Sequence, residues 1–192
     1  MIHLIGGAPR IGKSTIAKQF SESIKGRFVS TDKLENLRQD SLVLFYNDAK
    51  KNTLTPNGKL EVIINEASQL YPHIDDIIKK SINHHQDTVI EGVHLLPEYV
   101  ANLIKTFGTK NIRSIFIGLT DIEKILQGMA RNTSPNNWLK DFDIDVLRQI
   151  ALFTKTFSHY LHYETRKYNL FYKERSNNFQ KDTFDIIKEL TV

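Results

Sequence analysis

The sequence predicts an α/β fold in which helices flank a parallel β-sheet. Short runs of β-branched and aromatic residues alternate with longer segments of helical periodicity, which is typical of the crossover units that join parallel strands. The segment GAPRIGKS follows the first apolar run directly, as a glycine-containing loop between a strand and a helix does. The chain has 192 residues and no internal repeat or linker tract, so we expect one domain.

Five strands and six helices are predicted along the chain. The predicted strands are Ile2 to Ile5, Arg27 to Ser30, Thr88 to Glu91, Ile112 to Leu119 and Asn169 to Tyr172. The predicted helices are Lys13 to Ile24, Lys59 to Asn83, Pro97 to Thr106, Asp121 to Met129, Asp143 to Lys167 and Asn178 to Leu190. Because ligands of such sheets bind beyond the carboxyl ends of the strands, the polar residues that follow each strand are the candidates for chemistry.

The segment between the first strand and the first helix fits the phosphate-binding pattern G-x-x-x-x-G-K-[ST]. Gly7 and Gly12 allow the backbone to turn tightly and to approach phosphate oxygens, while Lys13 adds a mobile positive charge. The hydroxyl of Ser14 is suited to Mg²⁺, so a nucleoside triphosphate is the expected ligand. The residues predicted to bind it are Gly7, Ala8, Arg10, Ile11, Gly12, Lys13, Ser14 and Thr15.

The second strand ends in Ser-Thr-Asp, which places Asp32 beside the phosphate-binding loop. A carboxylate at this position is suited to accept a proton from a substrate hydroxyl or to help hold the metal. The alternative is that Asp32 caps the next helix, with Glu35 completing a capping box. A cap and a site residue can coincide, so both interpretations stay open.

Two acidic residues bracket the third strand, Asp87 before it and Glu91 near its end. They lie four residues apart, roughly 13 Å along a strand, so only Glu91 reaches the carboxyl edge where phosphates bind. We therefore predict that Glu91 is the carboxylate that faces the metal. The alternatives are that it supports a metal ligand without contacting the metal, or that it accepts hydrogen bonds in the turn. His94 is expected to point into the same crevice, or to be a packing residue.

A polar, turn-rich segment follows the fourth strand and a short helix, from Gly128 to Trp138. Its length is unusual for a simple connection and suits a mobile lid. Arg131 is the basic residue that could close over the phosphates and neutralise charge during phosphoryl transfer. The alternative is an exposed loop with an incidental arginine.

Composition narrows the class of protein. The net charge of +4 is too diffuse to indicate nucleic acid, no apolar run is long enough for a membrane span, and zero cysteines agree with a cytoplasmic location. The segment 157–175 interleaves aromatic and basic residues, as a groove for single-stranded nucleic acid can. We favour an amphipathic helix that leads into the last strand, because Leu147, Ile150, Phe157 and Leu161 fall on one face.

With these residues identified, the chain resembles the P-loop small-molecule kinases, the group of nucleoside monophosphate and shikimate kinases, and within it 2-phosphoglycerate kinase and its relatives. The resemblance rests on LIGGAPRIGKSTIA, STDKLENLR and VIEGVHLLP, and more weakly on LRQIALFTKTFSHYLH. It implies a three-layer P-loop NTPase fold with a five-stranded parallel sheet, a helical substrate-side segment at about 40–85 and a short lid at about 128–142. It also implies MgATP as donor and an acceptor site near Asp32, Arg38, Gly92 and His94.

Two features depart from the family pattern. Arg10 stands where such kinases often have glycine, and the lid is bracketed by Gln127 and Arg131 where many relatives have two or more arginines. The sequence thus predicts an ATP- and Mg²⁺-dependent kinase of a small anionic metabolite, a monomer or homodimer in which Lys13, Asp32 and Arg131 are catalytic and Ser14, Asp32 and Glu91 face the metal. The alternatives are a nucleoside, nucleotide or nucleotide-sugar kinase, an ATP-binding regulatory protein without turnover, and an RNA-end kinase.

Overall fold

The architecture is a parallel sheet covered by helices on both faces. The computed structural model describes residues 1–34, 54–131, 139 and 142–191. Its strands are β1 Ile2–Gly7, β2 Arg27–Ser30, β3 Thr88–Gly92, β4 Ile112–Gly118 and β5 Tyr172–Glu174. Its helices are α1 Lys13–Ser23, α2 Pro56–Asn83, α3 Pro97–Phe107, α4 Ile122–Ala130, α5 Ile144–Lys167 and α6 Phe179–Thr191, and a 3-10 turn lies at Thr31–Lys33. The predicted α/β class is confirmed.

The strand order β2-β3-β1-β4-β5 places β1 at the centre of the sheet. Every residue of β1 and β3 is buried, because both strands have neighbours on either side and helices on both faces. The register pairs Gly6 with Gly92 and Ser30 with Glu91. The segments that follow β1, β2 and β3 therefore emerge together at the carboxyl edge of the sheet.

Capping side chains explain where the predicted helix boundaries shift. α2 begins at Pro56, three residues before its predicted start, because Thr55 Oγ1 accepts a hydrogen bond from the N–H of Gly58 at 3.1 Å. Proline at the first helical position reinforces this start. Asp143 caps α5 in the same way, accepting from the N–H of Val146 at 2.9 Å.

The last strand begins later than predicted. Asn169, proposed as its first residue, instead ends α5 in the left-handed conformation with φ 52°. The N–H of Leu170 donates to the carbonyl of Thr165 at 2.8 Å, and the N–H of Asn169 to that of Arg166 at 3.3 Å. These are the two bonds of a Schellman motif, so the helix end uses the residues that apolar patterning assigned to the strand.

One face of the aromatic and basic segment 157–175 packs into the core. Phe157 and Leu161 are fully buried, and Leu147 and Ile150 pack against the core from the same helix. The amphipathic helix leading into β5 is therefore confirmed. None of the described helices is long and apolar enough to span a membrane.

Candidate active site

The phosphate-binding loop, Gly7 to Ser14, leaves β1 and turns into α1 through two left-handed residues. Arg10 has φ 63° and Gly12 has φ 88°. The carbonyl of Gly12 accepts the N–H groups of Thr15 and Ile16 at 3.2 and 3.3 Å, which starts the helix. Within the described part of the chain, nothing accepts a hydrogen bond from the N–H groups of Ile11, Gly12, Lys13 or Ser14. These amides form the anion-binding end of α1.

Gly7 is required by close packing across the loop. A Cβ atom on Gly7 would lie 2.6 Å from the carbonyl oxygen of Ile117 and 2.8 Å from Cδ of Lys13. The Lys13 side chain is buried next to Gly7, and its Nζ donates to the carbonyl of Ala8 at 3.0 Å. The lysine ammonium is therefore held over the same loop whose amides face the anion site.

Glu91 is bound between the phosphate-binding loop and β2. Its Oε1 accepts hydrogen bonds from the hydroxyls of Ser14, at 3.1 Å, and Ser30, at 2.6 Å. The residue is only 1% exposed, and its Oε2 is buried with no hydrogen-bond partner among the described residues. Burying such an oxygen unpaired is costly, so this atom is a strong candidate to face a bound cation.

The residues predicted to face the metal fit Mg²⁺. Ser14, Asp32 and Glu91 present hard oxygen donors, and Mg²⁺ in phosphoryl-transfer sites typically takes one or two carboxylates together with substrate phosphates. Over residues 1–34, 54–131, 139 and 142–191, no group of three or more His, Asp and Glu side chains forms a metal site on its own. The donor set thus suits an ion shared with a phosphate ligand.

Asp87, the other acidic residue near β3, lies at the opposite edge of the sheet. Its Oδ1 is 2.7 Å from the amino group of Met1. The two carboxylates consequently have different environments, Asp87 half exposed beside the chain terminus and Glu91 buried beside the phosphate-binding loop.

Asp32, Thr31, His94 and Glu66 form a polar cluster near the carboxyl ends of β2 and β3. The Nδ1 of His94 lies 3.0 Å from Oγ1 of Thr31 and 3.8 Å from Oδ1 of Asp32. Its Nε2 lies 3.5 Å from Oε2 of Glu66, an oxygen that is buried without a hydrogen-bond partner in the described chain. The imidazole therefore lies between two carboxylates, one on the turn after β2 and one on α2.

Asp32 itself belongs to the 3-10 turn that follows β2, with 55% of its side chain exposed. The predicted capping partner, Glu35, lies outside the described residues. Burial lowers the pKa of Arg10, and the nearby negative charge of Asp32 acts in the opposite direction. Arg10 and Asp32 are thus electrostatically coupled.

Gly92 brings the chain after β3 close to the turn after β2. A Cβ atom on Gly92 would overlap the hydroxyl of Thr31, and its φ of 157° is one that residues with a Cβ rarely adopt. Glycine at this position therefore keeps His94 and Thr31 within hydrogen-bond distance.

A cavity of about 840 Å³ connects these groups. Arg131, at the end of α4, is exposed on its rim, and Leu139 contributes to its wall. On α2 the cavity-facing residues follow a spacing of four, three and four: Lys59, Ile63, Glu66 and Leu70. The structure thus brings together the predicted residues of the phosphate-binding loop with Asp32, Glu91, His94 and Arg131. Arg38 and most of the predicted lid, 132–138 together with 140 and 141, lie outside the described residues.

Sequence reasoning missed several residues around the cavity, among them Ser30, Glu66, Arg175 and Phe179. Ser30 had a usable signal, because it is the polar end of a strand next to Asp32. Glu66 had none, because it lies in a segment without a recognisable motif. Arg175 and Phe179 reach the loop from the far end of the chain, a proximity that local patterning does not reveal.

No protein-family model matches this sequence, and comparison with curated proteins finds no match. Solved structures do match. A gluconokinase from Sinorhizobium meliloti 1021 aligns over 98% of this chain and 90% of its own, with 13% identity and a TM-score of 0.56. A deoxyadenosine kinase from M. mycoides with bound dATP aligns over all of both chains, with 12% identity and a TM-score of 0.57. A shikimate kinase from Aquifex aeolicus vf5 aligns over 100% of this chain and 96% of its own, with 16% identity and a TM-score of 0.52. The chain therefore has the P-loop NTPase fold that these kinases share.

Proposed function

We propose that this protein is an ATP- and Mg²⁺-dependent kinase that transfers a phosphoryl group to a small anionic acceptor. The observation that carries the proposal is the position of Glu91, buried between Ser14 of the phosphate-binding loop and Ser30 of β2 with one oxygen unpartnered. A carboxylate fixed next to the serine of such a loop is the arrangement that metal-assisted phosphoryl transfer needs.

In the proposed reaction the terminal phosphates of ATP lie on the amides of Gly12 to Ser14, with Lys13 above them. The acceptor oxygen bonds to the terminal phosphorus as the bond from that phosphorus to its bridging oxygen breaks, and ADP leaves. Asp32 receives the proton of the acceptor hydroxyl. When bound, Mg²⁺ would neutralise phosphate charge beside Ser14 and Glu91.

The cavity wall supports an anionic acceptor. Seven lysine and arginine residues line the described part of it, against three acidic ones. The cations are Arg10, Lys13, Lys18, Lys33, Lys59, Arg131 and Arg175, and the acids are Asp32, Glu66 and Glu91. This excess of positive charge favours an anionic acceptor such as 2-phosphoglycerate.

We further propose that the chain forms one kinase domain in the cytoplasm, with about 40–85 on the acceptor side and about 128–142 as lid. Arg38, Gly92 and His94 complete the proposed acceptor site. A nucleoside, nucleotide or nucleotide-sugar kinase is the second candidate, because the deoxyadenosine kinase with bound dATP aligns along its whole length.

A phosphoryl-transfer screen with γ-labelled ATP tests the proposal. The acceptors should include phosphorylated hydroxy acids, sugar acids, nucleosides, nucleotides, nucleotide sugars and RNA oligonucleotides, each with and without Mg²⁺. We expect Mg²⁺-dependent labelling of a small phosphorylated or carboxylated acceptor. Labelling of nucleosides or nucleotides alone would select the second candidate. Tight MgATP binding with no labelled product would indicate a regulatory nucleotide-binding protein.

A further inference from the structure

Arg175, just beyond β5, contacts the phosphate-binding loop from outside the segments that sequence motifs identify. Its Nη1 donates a hydrogen bond to the backbone carbonyl of Ile11, and its backbone N–H donates to Gly118 at 2.9 Å. The side chain is only 13% exposed. A buried arginine bound to a loop carbonyl is unusual, because burying the charge costs free energy unless the surroundings compensate.

The guanidinium is held in place by two residues of α6. Its Nε lies 3.7 Å from Oδ2 of Asp182, and its central carbon lies 4.5 Å from the ring centroid of Phe179. Asp182 is buried and accepts hydrogen bonds from the N–H of Ser176 at 2.8 Å and its hydroxyl at 2.9 Å. Asp182 and Phe179 lie three residues apart, on one face of α6. Two residues of α6 therefore contact the guanidinium while its Nη1 binds the loop.

The bond to Ile11 determines the direction of a predicted phosphate-binding amide. A trans peptide is planar, so the N–H of Gly12 points opposite to the carbonyl of Ile11. A Cβ atom on Gly12 would lie 3.0 Å from the ring of Phe179 and 3.2 Å from Nη1 of Arg175. With the carbonyl bound to Arg175 on one side, the Gly12 amide is directed to the other side of the peptide.

We propose that Arg175, oriented by Asp182 and Phe179, is a positioning residue that preorganises the phosphate-binding loop by fixing the Ile11–Gly12 peptide. The inference rests on the proposed nucleotide-binding function. It assigns to α6 and the end of β5 a role in affinity for the triphosphate group, separate from recognition of the nucleoside.

The test compares binding of MgATP and of magnesium tripolyphosphate by calorimetry in Arg175→Met and Arg175→Lys. Methionine retains much of the apolar stem but cannot bond to Ile11, and lysine keeps the charge without the planar fork that contacts Ile11, Asp182 and Phe179 together. We expect Arg175→Met to weaken binding of both ligands by ten-fold or more. Arg175→Lys should recover less than half of the lost free energy of binding. Arg166→Met, an exposed site on the last turn of α5, is the matched control and should bind as the unmodified protein does.

Three results would overturn the inference. Unchanged affinities in a folded Arg175→Met protein would show that the loop needs no such contact. Weaker binding of MgATP with unchanged binding of tripolyphosphate would show that Arg175 contacts the nucleoside. Full recovery by Arg175→Lys would show that charge alone matters. If Arg175→Met fails to fold, Asp182→Asn must weaken binding of both ligands to a similar extent for the inference to stand.

Adding Lys13→Ala to the same calorimetry separates this inference from the proposed function. If Lys13→Ala loses triphosphate binding and Arg175→Met does not, only the positioning role fails. If Lys13→Ala binds both ligands normally, the nucleotide-binding function itself is wrong.

Discussion

Asp32, the proposed acceptor of the substrate proton, has its carboxylate 3.8 Å from Nδ1 of His94 and more than half of its side chain exposed. Removing its charge should affect chemistry more than folding. Asp32→Asn keeps hydrogen-bond acceptor capacity, so we expect a melting temperature close to that of the unmodified protein and turnover at least ~10²-fold lower. Circular dichroism melts and a steady-state transfer assay provide the two measurements. A large loss of stability with normal activity per folded molecule would favour the capping interpretation.

His3 is a buried histidine of β1 whose ring packs edge-on against Phe20, with centroids 4.8 Å apart. Burial lowers its pKa to about 4, and the positive chain terminus adds to this effect, while Asp87 and a hydrogen bond to the backbone of Leu190 oppose it. The unfolded chain therefore binds a proton near pH 6.5 that the folded protein does not bind until about pH 4.

This difference predicts that the free energy of unfolding falls as pH falls through that window. His3 should account for a loss of about 2 kcal/mol between pH 7 and pH 5. Urea unfolding of the unmodified protein and of His3→Leu at both pH values checks the effect, because the variant lacks the titrating ring. Equal pH dependence in the two proteins would show that His3 is not protonated on unfolding.

At the scale of elements, α4 ends at the cavity and places Arg131 on its rim, within the first residues of the predicted lid. An arginine that acts only when a lid closes should contribute to the transition state more than to ATP affinity. We expect Arg131→Ala to retain MgATP binding within about ten-fold but to lose ~10²-fold or more in single-turnover rate. Rapid-quench kinetics with calorimetric binding distinguish the two quantities. A normal transfer rate would make Arg131 an incidental exposed residue, and Arg10 would be the next candidate.

Element boundaries show where sequence patterning succeeds and where it fails. The ends of β1, β3 and α5 lie within two residues of the predicted ones. The two strands were short apolar runs, and α5 has a strongly periodic apolar face. The start of β5 was placed three residues too early, because the residues after α5 satisfy the helix carbonyls before the chain can join the sheet. Hydrogen bonds that end a helix can hold residues whose apolar pattern predicts a strand. Such bonds are hard to recognise without the surrounding structure.

For the whole molecule, the loop from Gly7 to Ser14 and the residues Asp32, Glu91 and His94 were predictable, because each follows a strand or belongs to a motif with fixed spacing. Glu66 was not, because its position depends on which face of a 28-residue helix turns inward. Arg175 depends on a contact between positions 164 residues apart. Parallel sheets join distant segments at their carboxyl edge, so such long-range neighbours become visible only once the strand order is known.

The central claim, that the loop from Gly7 to Ser14 binds a nucleoside triphosphate for phosphoryl transfer, is tested most directly at Lys13. Its ammonium is buried over the loop, bound to the carbonyl of Ala8 at 3.0 Å, whereas Lys105 of α3 is exposed and lies outside the cavity lining. MgATP affinity should be measured by calorimetry in Lys13→Ala and in the control Lys105→Ala. A charge-assisted hydrogen bond contributes about 1.5 to 3 kcal/mol, so Lys13→Ala should weaken MgATP binding by ten-fold or more while Lys105→Ala changes it little. Equal and undiminished MgATP affinity in both variants would contradict the claim.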